Sequence, residues 1–360
     1  MGETSLHTSL CDMLGCRYPI VQTAMGYVAG SSLVAATCNA GGFGFLAGAT
    51  IAPRDIENEI VRVRELTGDK PFGLNFHMFQ PNAQQLLDLA VRHRVRAVSY
   101  GRGPDKKTIA RLRNAGIVCM PTVGALKHAL KAIELGANAV TVQGGEGGGH
   151  TGAVPTTVLL PQVIDAVSVP VVGAGGFYDG RGLLAALAYG AQGVAMGTRF
   201  LMTSDSGVPD ATLQRYVAAR DAERIEVSTL VDGMPQRMIP NELLGALQKA
   251  SPLRRLGLAL ASALRFKAQT GMTAGHAAAV LWRSLREGPA AIAQTVMAAN
   301  APMLLQRAMV DGRPADGVMS AGQVAALIDH VPSCREVIEG IVAQAIERRA
   351  VMACVSRESP

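Results

Sequence analysis

The sequence has few aromatic and few charged side chains. Aromatic residues make up 4% of the chain and charged residues 17%. Few aromatic rings leave few platforms for stacking bases, and the net charge of +6 is mild and is not gathered in a tail. We therefore expect no nucleic-acid partner. The low charge, together with 49% hydrophobic residues, also argues against a disordered chain.

Long apolar runs and metal-binding patterns are missing as well. No stretch reaches the ~18 apolar residues that a membrane-spanning helix needs. The opening MGETSLHTSL lacks the basic-then-apolar layout of a signal peptide. The six cysteines are scattered, and no cysteine–histidine spacing matches a zinc site. We expect no membrane association, no bound metal and a cytoplasmic location.

Glycine, by contrast, is abundant, with 40 residues in the chain, and six of them fall among the ten residues Gln143–Gly152. Apart from Thr151, the side chains there that can do chemistry are Gln143, Glu146 and His150. The stretch follows AVTV, an apolar and β-branched run that predicts a buried strand. Glycine lets a backbone approach a flat ligand closely, and an imidazole suits proton transfer near neutral pH. The alternative is a flexible surface loop that carries a histidine.

Strand-like and helix-length segments alternate regularly over the first 220 residues. The predicted strands are Pro19–Gln22, Gly44–Ala47, Pro71–Leu74, Ala97–Tyr100, Ile117–Pro121, Ala139–Val142, Pro170–Gly173 and Gly193–Met196. The predicted helices between them include Ile56–Leu66, Ala83–Val91, Lys106–Asn114, Leu126–Leu135 and Leu183–Tyr189. Eight strands with eight connecting segments indicate an α/β fold of the (β/α)8 TIM-barrel type. A doubly wound sheet would place its strongest glycine signal after the first strand, whereas here the signals follow strands six, seven and eight.

Barrel enzymes carry their chemistry at the carboxyl ends of the strands, and phosphate is often held by the loops after strands seven and eight. Strand seven ends in GAGG and strand eight in GTR, which together favour a phosphate site over glycines that merely pack helices. Strand one runs into Met25-Gly26, and strand three ends at Asn75, both at the rim of His150. Met25 could be a core residue or face a planar ring, while Asn75 could cap a turn or contact a heteroaromatic edge.

The pattern changes after about residue 225, where helical stretches dominate. We divide the chain into a barrel at 1–224 and a helical lobe at 225–360 that covers the barrel mouth and returns to the barrel at its end. The predicted helices of the lobe are Asn241–Ala250, Leu253–Lys267, Ala277–Arg286, Pro289–Ala299 and Val337–Ala350, with Ser320–Gln323 as a turn that opens a helix.

Several motifs identify a family resemblance. GGEGGGHTG at strand six, GAGGFYDGRG at strand seven and AMGTRFL at strand eight resemble the nitronate monooxygenase family, whose members are FMN enzymes on a TIM barrel. PIVQTAMGYVAGSSLVAATCNAGGFGFLA and KPFGLNF are similar to the family's first and third strands, and SAGQVAALI to its closing motif. The resemblance covers the whole barrel and reaches the lobe.

This resemblance implies that His150 is the catalytic base and that FMN is the cofactor. The cofactor-binding residues that it implies are Met25, Gly26, Asn75, Gln143, Gly148, Gly149, Gly175, Gly176, Met196, Gly197 and Thr198. The glycines after strands seven and eight would hold the phosphate with Thr198, and Met25-Gly26 would pass behind the ring. The family's Glu-Ala-Gly-Gly-His is here Glu146 to His150 with a glycine in place of the alanine, and Pro121-Thr122 replaces a lysine found in some members.

The substrate is left with several alternatives. The family implies oxidation of a carbon acid, a nitronate with O2. VDGMPQR, MAANAPMLLQRAMVDG and MSAGQVAALIDHVPSCREVIEGI are similar to the branch that acts in bacterial steroid breakdown, which implies desaturation of a ring-carbonyl CoA thioester. Further alternatives are an enoyl-thioester or NADH:quinone reductase and a non-catalytic flavin-binding scaffold. O2 and NAD(P)H both remain candidate electron acceptors, and a homo-oligomer is left open.

The basic residues of the lobe separate the two substrate hypotheses. A CoA ester carries phosphates far from its reacting carbon, and arginine binds two phosphate oxygens at once. Arg254, Arg255, Arg265 and Lys267 could line a CoA channel, or they could form a solvated basic face. A small nitronate has no such phosphates and needs no CoA channel.

Overall fold

The computed structural model describes residues 6–251 and 300–355, apart from residues 79, 81 and 102, together with Arg255 and Gly257. All six cysteines are free. None of the described helices is long and apolar enough to cross a membrane.

Parallel strands form a barrel in which the fifth strand is split into two short pieces. The strands are β1 (Ile20–Gln22), β2 (Phe43–Leu46), β3 (Gly73–Phe76), β4 (Ala97–Tyr100), β5 (Val118–Cys119), β6 (Thr122–Val123), β7 (Val140–Gln143), β9 (Val171–Ala174) and β10 (Gly193–Met196). Hydrogen-bonded neighbours follow the order β5-β4-β3-β2-β1-β10-β9-β7-β6. The strand β8 (Gly149–His150) lies outside this barrel sheet.

The barrel closes through the split strand, because its two pieces bond to opposite edges of the sheet. The N–H of Met120 donates to the carbonyl of Val98 on one side (2.9 Å), and the N–H of Thr141 donates to the carbonyl of Pro121 on the other (2.8 Å). Eight strand positions therefore form a closed TIM barrel, as the sequence predicts. The irregularity falls at Met120-Pro121, where proline has no N–H to contribute to the ladder.

Helices surround the barrel. They are α1 (Ser9–Leu14), α2 (Ser31–Asn39), α3 (Ile56–Thr67), α4 (Ala83–Arg92), α5 (Lys106–Asn114), α6 (Leu126–Glu134), α7 (Thr156–Ile164), α8 (Gly180–Ala188), α9 (Thr198–Leu201) and α10 (Asp210–Val217). Two short 3₁₀ turns accompany them, Gly48–Thr50 and Ser204–Ser206. Helix α3 shows why such segments pack here: Ile56, Ile60, Val63 and Thr67 are buried at helical spacing on one face. Gly68, in the left-handed conformation at φ 62°, ends that helix.

Strand side chains alternate between the barrel interior and the layer under the helices. Leu74 and Phe76 of β3 pack outward with Leu86 and Leu87 of α4. The inward side chains form a separate interior cluster, made up mainly of Val21, Phe43, Phe45, Ala97, Val118, Met120, Ala139, Val172, Ala174 and Ala195. The alternation also determines which residues at the ends of the strands face the barrel mouth, because side chains two residues apart on a strand lie on the same face.

Beyond the barrel, the chain forms an antiparallel hairpin that its sequence does not predict. Strands β11 (Glu226–Ser228) and β12 (Gln236–Met238) pair with each other, and β12 pairs with β8. We call residues 226–238 the Asp232 hairpin. Each of its strands is three residues long, which is too short for an alternation of apolar and polar residues to be recognised in the sequence. A tertiary contact, the pairing with β8, stabilises it.

The remaining described elements return to the barrel. They are α11 (Glu242–Lys249), α12 (Asn300–Met309), a 3₁₀ turn at Gln323–Leu327 and α13 (Cys334–Val355). Helix α13 contacts α8 so closely that a side chain at Gly180 would lie 2.4 Å from the carbonyl oxygen of Ile341. The side chain of Gln344 accepts the Gly180 N–H at 2.7 Å, which ties α13 to the start of α8.

Most predicted elements match the structure to within a few residues. Ala97–Tyr100, Gly193–Met196 and Lys106–Asn114 have the predicted bounds, and β3 begins two residues later than predicted. Gly322 precedes the 3₁₀ turn where the sequence predicts a helix start. The predicted helices Leu253–Lys267, Ala277–Arg286 and Pro289–Ala299 lie outside the described residues, except for Arg255 and Gly257. The division at residue 224, and a lobe that covers the mouth, therefore stay predictions.

Candidate active site

His150 lies at the barrel mouth, on the two-residue strand β8. Its backbone is in register with Gln236 of β12, and the N–H of Thr151 donates to the Pro235 carbonyl at 3.2 Å. On the barrel side, the amide nitrogen of Gln143 donates to the His150 carbonyl at 2.9 Å. The glycine-rich stretch is therefore a fixed structure that presents an imidazole, rather than a flexible surface loop.

The imidazole is paired with a buried carboxylate. Nε2 of His150 lies 2.7 Å from Oδ2 of Asp232, a residue of the Asp232 hairpin. The side chain of Asp232 is 2% exposed, whereas that of His150 is 51% exposed. Within the described residues, Nδ1 of His150 makes no hydrogen bond. The ring is therefore held at one nitrogen and is open at the other.

Asp232 is ionised in this environment. Burial by itself raises the pKa of Asp232, but the hydrogen bond with His150, the charge of a protonated His150 and hydrogen bonds with Gln236 and Met234 together outweigh burial, so that the pKa is lower than usual for an aspartate. Its other oxygen, Oδ1, accepts the backbone N–H of Met234 at 3.0 Å. An ionised carboxylate can only accept hydrogen bonds, and the N–H of Met234 and the Nε2–H of His150 are both donors.

Glu146, the other ionisable side chain of the glycine-rich stretch, has a structural role. Its carboxylate accepts the backbone N–H of Thr156 (2.9 Å) and the Thr156 hydroxyl (2.8 Å) at the first residue of α7. A negative charge at a helix N-terminus is favourable. A side chain at Gly144 would lie 2.0 Å from the Thr156 hydroxyl oxygen, so the chain can pass here only as glycine.

The loops after β7, β9 and β10 approach one another near Gly322, which precedes the 3₁₀ turn at Gln323–Leu327. The N–H of Gly322 donates to the Thr198 hydroxyl at 2.9 Å, and a side chain at Gly148 would lie 2.5 Å from the same Gly322 nitrogen. A side chain at Gly175 would lie 3.2 Å from the backbone nitrogen of Gly147. Residues from the loops after β7, β9 and β10 thus meet at one end of the mouth.

The turn at Gly175–Gly176 is suited to an anion. Both residues have positive φ, 86° and 82°, a conformation that glycine adopts without strain. In the described part of the chain, the N–H groups of Gly176 and Phe177 donate to no other group. Free backbone donors of this kind can bind a phosphate. The Glu146 carboxylate carbon lies 3.9 Å from the position of a Gly176 side chain, so a phosphate would have to approach from the N–H side of the turn.

The remaining predicted contacts differ in what they offer a flavin. Met25 lies beside Gly197, with its sulfur 3.5 Å from the position of a Gly197 side chain, and Gly26 packs on Thr50. The amide nitrogen of Asn75 donates to Ser99, at 3.1 Å to its carbonyl and 3.0 Å to its hydroxyl, which leaves the Asn75 oxygen for a ligand. The side chain of Met196 is 1% exposed and packs under the helices. Only its main chain could contact a cofactor.

Two residues at the mouth are not predicted from the sequence. One is Asp232, whose signal is the quoted motif VDGMPQR. The other is His77, which directly follows β3 and lies two residues after Asn75, on the same face of the strand. Burial lowers the pKa of His77, and the neighbouring charge of His150 lowers it further, although a backbone hydrogen bond with Gly101 acts in the opposite direction. The mouth therefore carries two imidazoles that interact electrostatically.

The described arginines of the site and of the segment after α11 bind backbone carbonyls. Arg237 donates from Nε to the Gly145 carbonyl (3.0 Å) and from Nη1 to the Ile225 carbonyl (2.7 Å), which links the glycine-rich stretch to the Asp232 hairpin. Arg199, of the predicted phosphate motif GTR, is 6% exposed and donates to the Met202 carbonyl at 2.7 Å. Arg255 donates to the Leu247 carbonyl at 2.9 Å. Arg254, Arg265 and Lys267 lie outside the described residues.

Comparisons with known proteins show the family of this chain. A sequence profile of the nitronate monooxygenase family matches residues 7–88 and 80–344. The (3aS,4S,5R,7aS)-5-hydroxy-7a-methyl-1-oxo-octahydro-1H-indene-4-carboxyl-CoA dehydrogenase of Rhodococcus jostii (strain RHA1) is 48% identical over 353 residues, covering 96% of this chain and 97% of the relative.

Solved structures give the same result for the fold. FabK from Thermotoga maritima aligns with a TM-score of 0.79 at 28% identity, over 98% of this chain and 100% of its own. Nitroalkane oxidase from Streptomyces ansochromogenes aligns with a TM-score of 0.74 at 29% identity, over 96% of this chain and 100% of its own. The chain belongs to the nitronate monooxygenase family of oxidoreductases.

Proposed function

We propose that this chain is an FMN-dependent dehydrogenase of a CoA thioester whose acyl part is a fused-ring, ketone-bearing carboxylic acid. The observation that carries this proposal is the 48% identity with the Rhodococcus acyl-CoA dehydrogenase, which extends over 96% of this chain and 97% of that protein. A match of this length includes the Asp232 hairpin and the segments after it, where substrate-specific contacts are expected.

The residues at the mouth fit a flavin mononucleotide. Gly175 and Gly176 would hold its phosphate, with the Thr198 hydroxyl, whose hydrogen is available because its oxygen accepts Gly322. The Asn75 oxygen and the second amide hydrogen of Gln143 would contact the polar edge of the ring. When bound, a flavin accepts a hydride equivalent from a carbon of the substrate.

The protein's own contribution is the handling of a proton. His150 is half exposed at the mouth and is held on both sides, by Gln143 at its carbonyl and by Asp232 at its ring. It would remove a proton from the carbon next to the thioester carbonyl. A positioned histidine base typically contributes about 10²–10⁴-fold to such a step.

Part of the Arg255 guanidinium is already used by backbone carbonyls, which makes it a weaker candidate for the CoA part. The guanidinium of Arg255 binds the carbonyls of Leu247 (2.9 Å) and Gln248 (3.2 Å), near the end of α11. Arg254 therefore remains the better candidate of this neighbouring pair for the diphosphate. We expect free CoA to inhibit the enzyme in a salt-sensitive way, and Arg254→Ala to weaken that inhibition more than Arg255→Ala does.

Anaerobic mixing tests the proposed reaction. The purified protein would be mixed separately with the ring-carbonyl CoA thioester, the corresponding free acid, a nitronate and NADH, while the absorbance of the oxidised flavin is followed. We expect bleaching by the thioester, with a product lighter by two hydrogen atoms, and little bleaching by the free acid. Bleaching by the nitronate alone would contradict the proposal. Mass spectrometry of the released cofactor separates FMN from FAD.

Two other reactions are outcomes of the same experiment. Nitronate oxidation has the support of the family match and of the likeness to nitroalkane oxidase. An enoyl-thioester or NADH:quinone reductase has the support of the likeness to FabK. Rapid bleaching by NADH, with reoxidation by an enoyl thioester or a quinone, would favour the reductase.

A further inference from the structure

We propose that Asp232 is a positioning residue that fixes the tautomer of His150, so that Nδ1 is the atom that accepts the substrate proton. The inference rests on the proposed function for the identity of the substrate, but the assignment of the tautomer does not depend on which carbon acid is oxidised.

The geometry at the two nitrogens is unequal. Nε2 of His150 lies 2.7 Å from Oδ2 of Asp232, a carboxylate whose side chain is 2% exposed. An ionised carboxylate has no hydrogen to donate, so the hydrogen of this bond belongs to Nε2. In neutral imidazole the lone pair then lies on Nδ1. That nitrogen makes no hydrogen bond within the described residues and belongs to a ring that is half exposed at the mouth.

The Asp232 hairpin holds the carboxylate from several directions. Oδ1 accepts the Met234 N–H at 3.0 Å, and the N–H of Gly233 donates to the Thr229 carbonyl at 2.9 Å. The side chain of Asn300 donates to the Val231 carbonyl at 3.1 Å, which anchors the residue before Asp232. The same hairpin pairs with the backbone of His150. The pairing of β8 with β12 therefore sets the distance between the His150 ring and the Asp232 carboxylate.

This arrangement suits removal of a proton from a neutral carbon acid. The C–H bond breaks, its electron pair is delocalised into the thioester carbonyl, and the proton forms an N–H bond at Nδ1. The resulting imidazolium has both nitrogens protonated, and the Asp232 carboxylate offsets its charge at close range. The hydride of the adjacent carbon would pass with its electron pair to a bound flavin, so atoms and electrons balance. A pre-ionised nitronate has no such proton to lose, and its oxidation would gain little from this carboxylate.

Asparagine at position 232 tests the assignment. Asp232→Asn keeps an oxygen that can accept the Met234 N–H, but its amide group no longer requires a hydrogen on Nε2. We expect flavin content to persist, while flavin reduction by the CoA thioester or another neutral carbon acid slows by roughly 10²-fold or more. Reduction by a nitronate should change less than tenfold. Equal losses on both substrates would overturn the positioning role.

Asp329→Asn is the matched control. Oδ1 of Asp329 lies 2.6 Å from Nδ1 of His330, which makes another aspartate–histidine pair, and in that pair both side chains are exposed. Removing this carboxylate should leave flavin reduction unchanged with either substrate. A comparable loss in Asp329→Asn would show that the effect at Asp232 is not specific to the mouth.

A spectroscopic measurement on the native holoenzyme keeps the inference testable if Asp232→Asn fails to fold. Nitrogen-15 shifts of labelled histidine, assigned to His150 by comparison with His150→Ala, report which ring nitrogen carries the hydrogen. We expect a protonated Nε2 and an unprotonated Nδ1 in the neutral ring. The opposite tautomer would overturn the proposal. If the tautomer is as expected but the CoA thioester is not oxidised, the proposed substrate fails and the positioning role stands.

Discussion

Two regions meet at His150, and they are built in different ways. The glycine side, residues 143–149 with 175–176 and 197–198, belongs to the barrel and consists largely of backbone. The Asp232 hairpin, residues 226–238, follows the barrel and acts through side chains. On the glycine side a side chain at Gly144 would collide with Thr156. On the hairpin, Asp232 and Arg237 make the contacts that reach across to the glycine side.

The difference indicates a division of labour. A flat cofactor and its phosphate need close backbone approach and free N–H donors, which glycine turns supply. The properties of a base depend instead on the charges and hydrogen bonds around it, which side chains supply. Under the proposed function, the same glycine side would serve a flavin in several reactions, while a change in the hairpin would alter the hydrogen bond and the charge beside His150.

Removing the imidazole has the largest expected effect. His150→Ala should retain flavin, because the predicted phosphate contacts lie elsewhere, and flavin reduction by a neutral carbon acid should slow by roughly 10²–10⁴-fold. Oxidation of a pre-ionised nitronate should suffer less. Stopped-flow measurement of flavin bleaching with both substrates checks this. A loss of flavin from the variant would instead assign His150 to cofactor binding.

Disturbing the glycine side should affect folding and flavin together. In Gly144→Ala the new Cβ would lie 2.4 Å from the backbone nitrogen of Thr156, which cannot move without shifting the start of α7. We expect a loss of about 1–3 kcal/mol in the free energy of unfolding, with reduced flavin content. Gly245→Ala is the control, because a Cβ there has no neighbour within 4 Å. In a helix interior it should stabilise by about 0.5–1 kcal/mol.

Separating the two regions tests whether they act as one site. Arg237→Ala removes hydrogen bonds to the carbonyls of Gly145 and Ile225. We expect a cost of about 1–2 kcal/mol in the free energy of unfolding, since charged donors to carbonyls contribute on that scale. Flavin reduction should slow less than in Asp232→Asn, because the His150–Asp232 bond remains. Denaturant unfolding and stopped-flow rates measure the two effects, and a larger kinetic loss than in Asp232→Asn would contradict the division.

The smallest expected effect concerns His77, on the barrel side of the mouth. Burial and the charge of His150 hold the folded pKa of His77 below its unfolded value of about 6.5. As the pH falls through the unfolded pKa, the unfolded chain takes up a proton that the folded chain resists, so stability is lost towards the folded pKa. His77→Gln removes this contribution. Its free energy of unfolding should fall less than that of the native protein between about pH 7.5 and about pH 5.5.

Much of the site was predictable because it follows from strand order. Once the alternation predicts a barrel, Asn75, Gln143, Gly175 and Gly197 must lie at one rim, whatever the details of the strands. The structure places them there. The direction of the Met196 side chain was not predicted, because it depends on the in–out alternation of β10, which a shift of one residue reverses. The short hairpin was not predicted, since three-residue strands have too few positions for a pattern.

The sequence by itself determined the barrel, the glycine turns and the identity of the imidazole at the mouth. These depend on local patterns: apolar runs of strand length, helix ends marked by glycine, and glycines where a side chain would collide. Only the tertiary structure decided which groups adjoin that imidazole. Asp232 is 82 residues away from His150 along the chain. The contact exists because β12 pairs with β8, and pairing between distant strands is fixed by the packing of the whole fold rather than by any local run of residues.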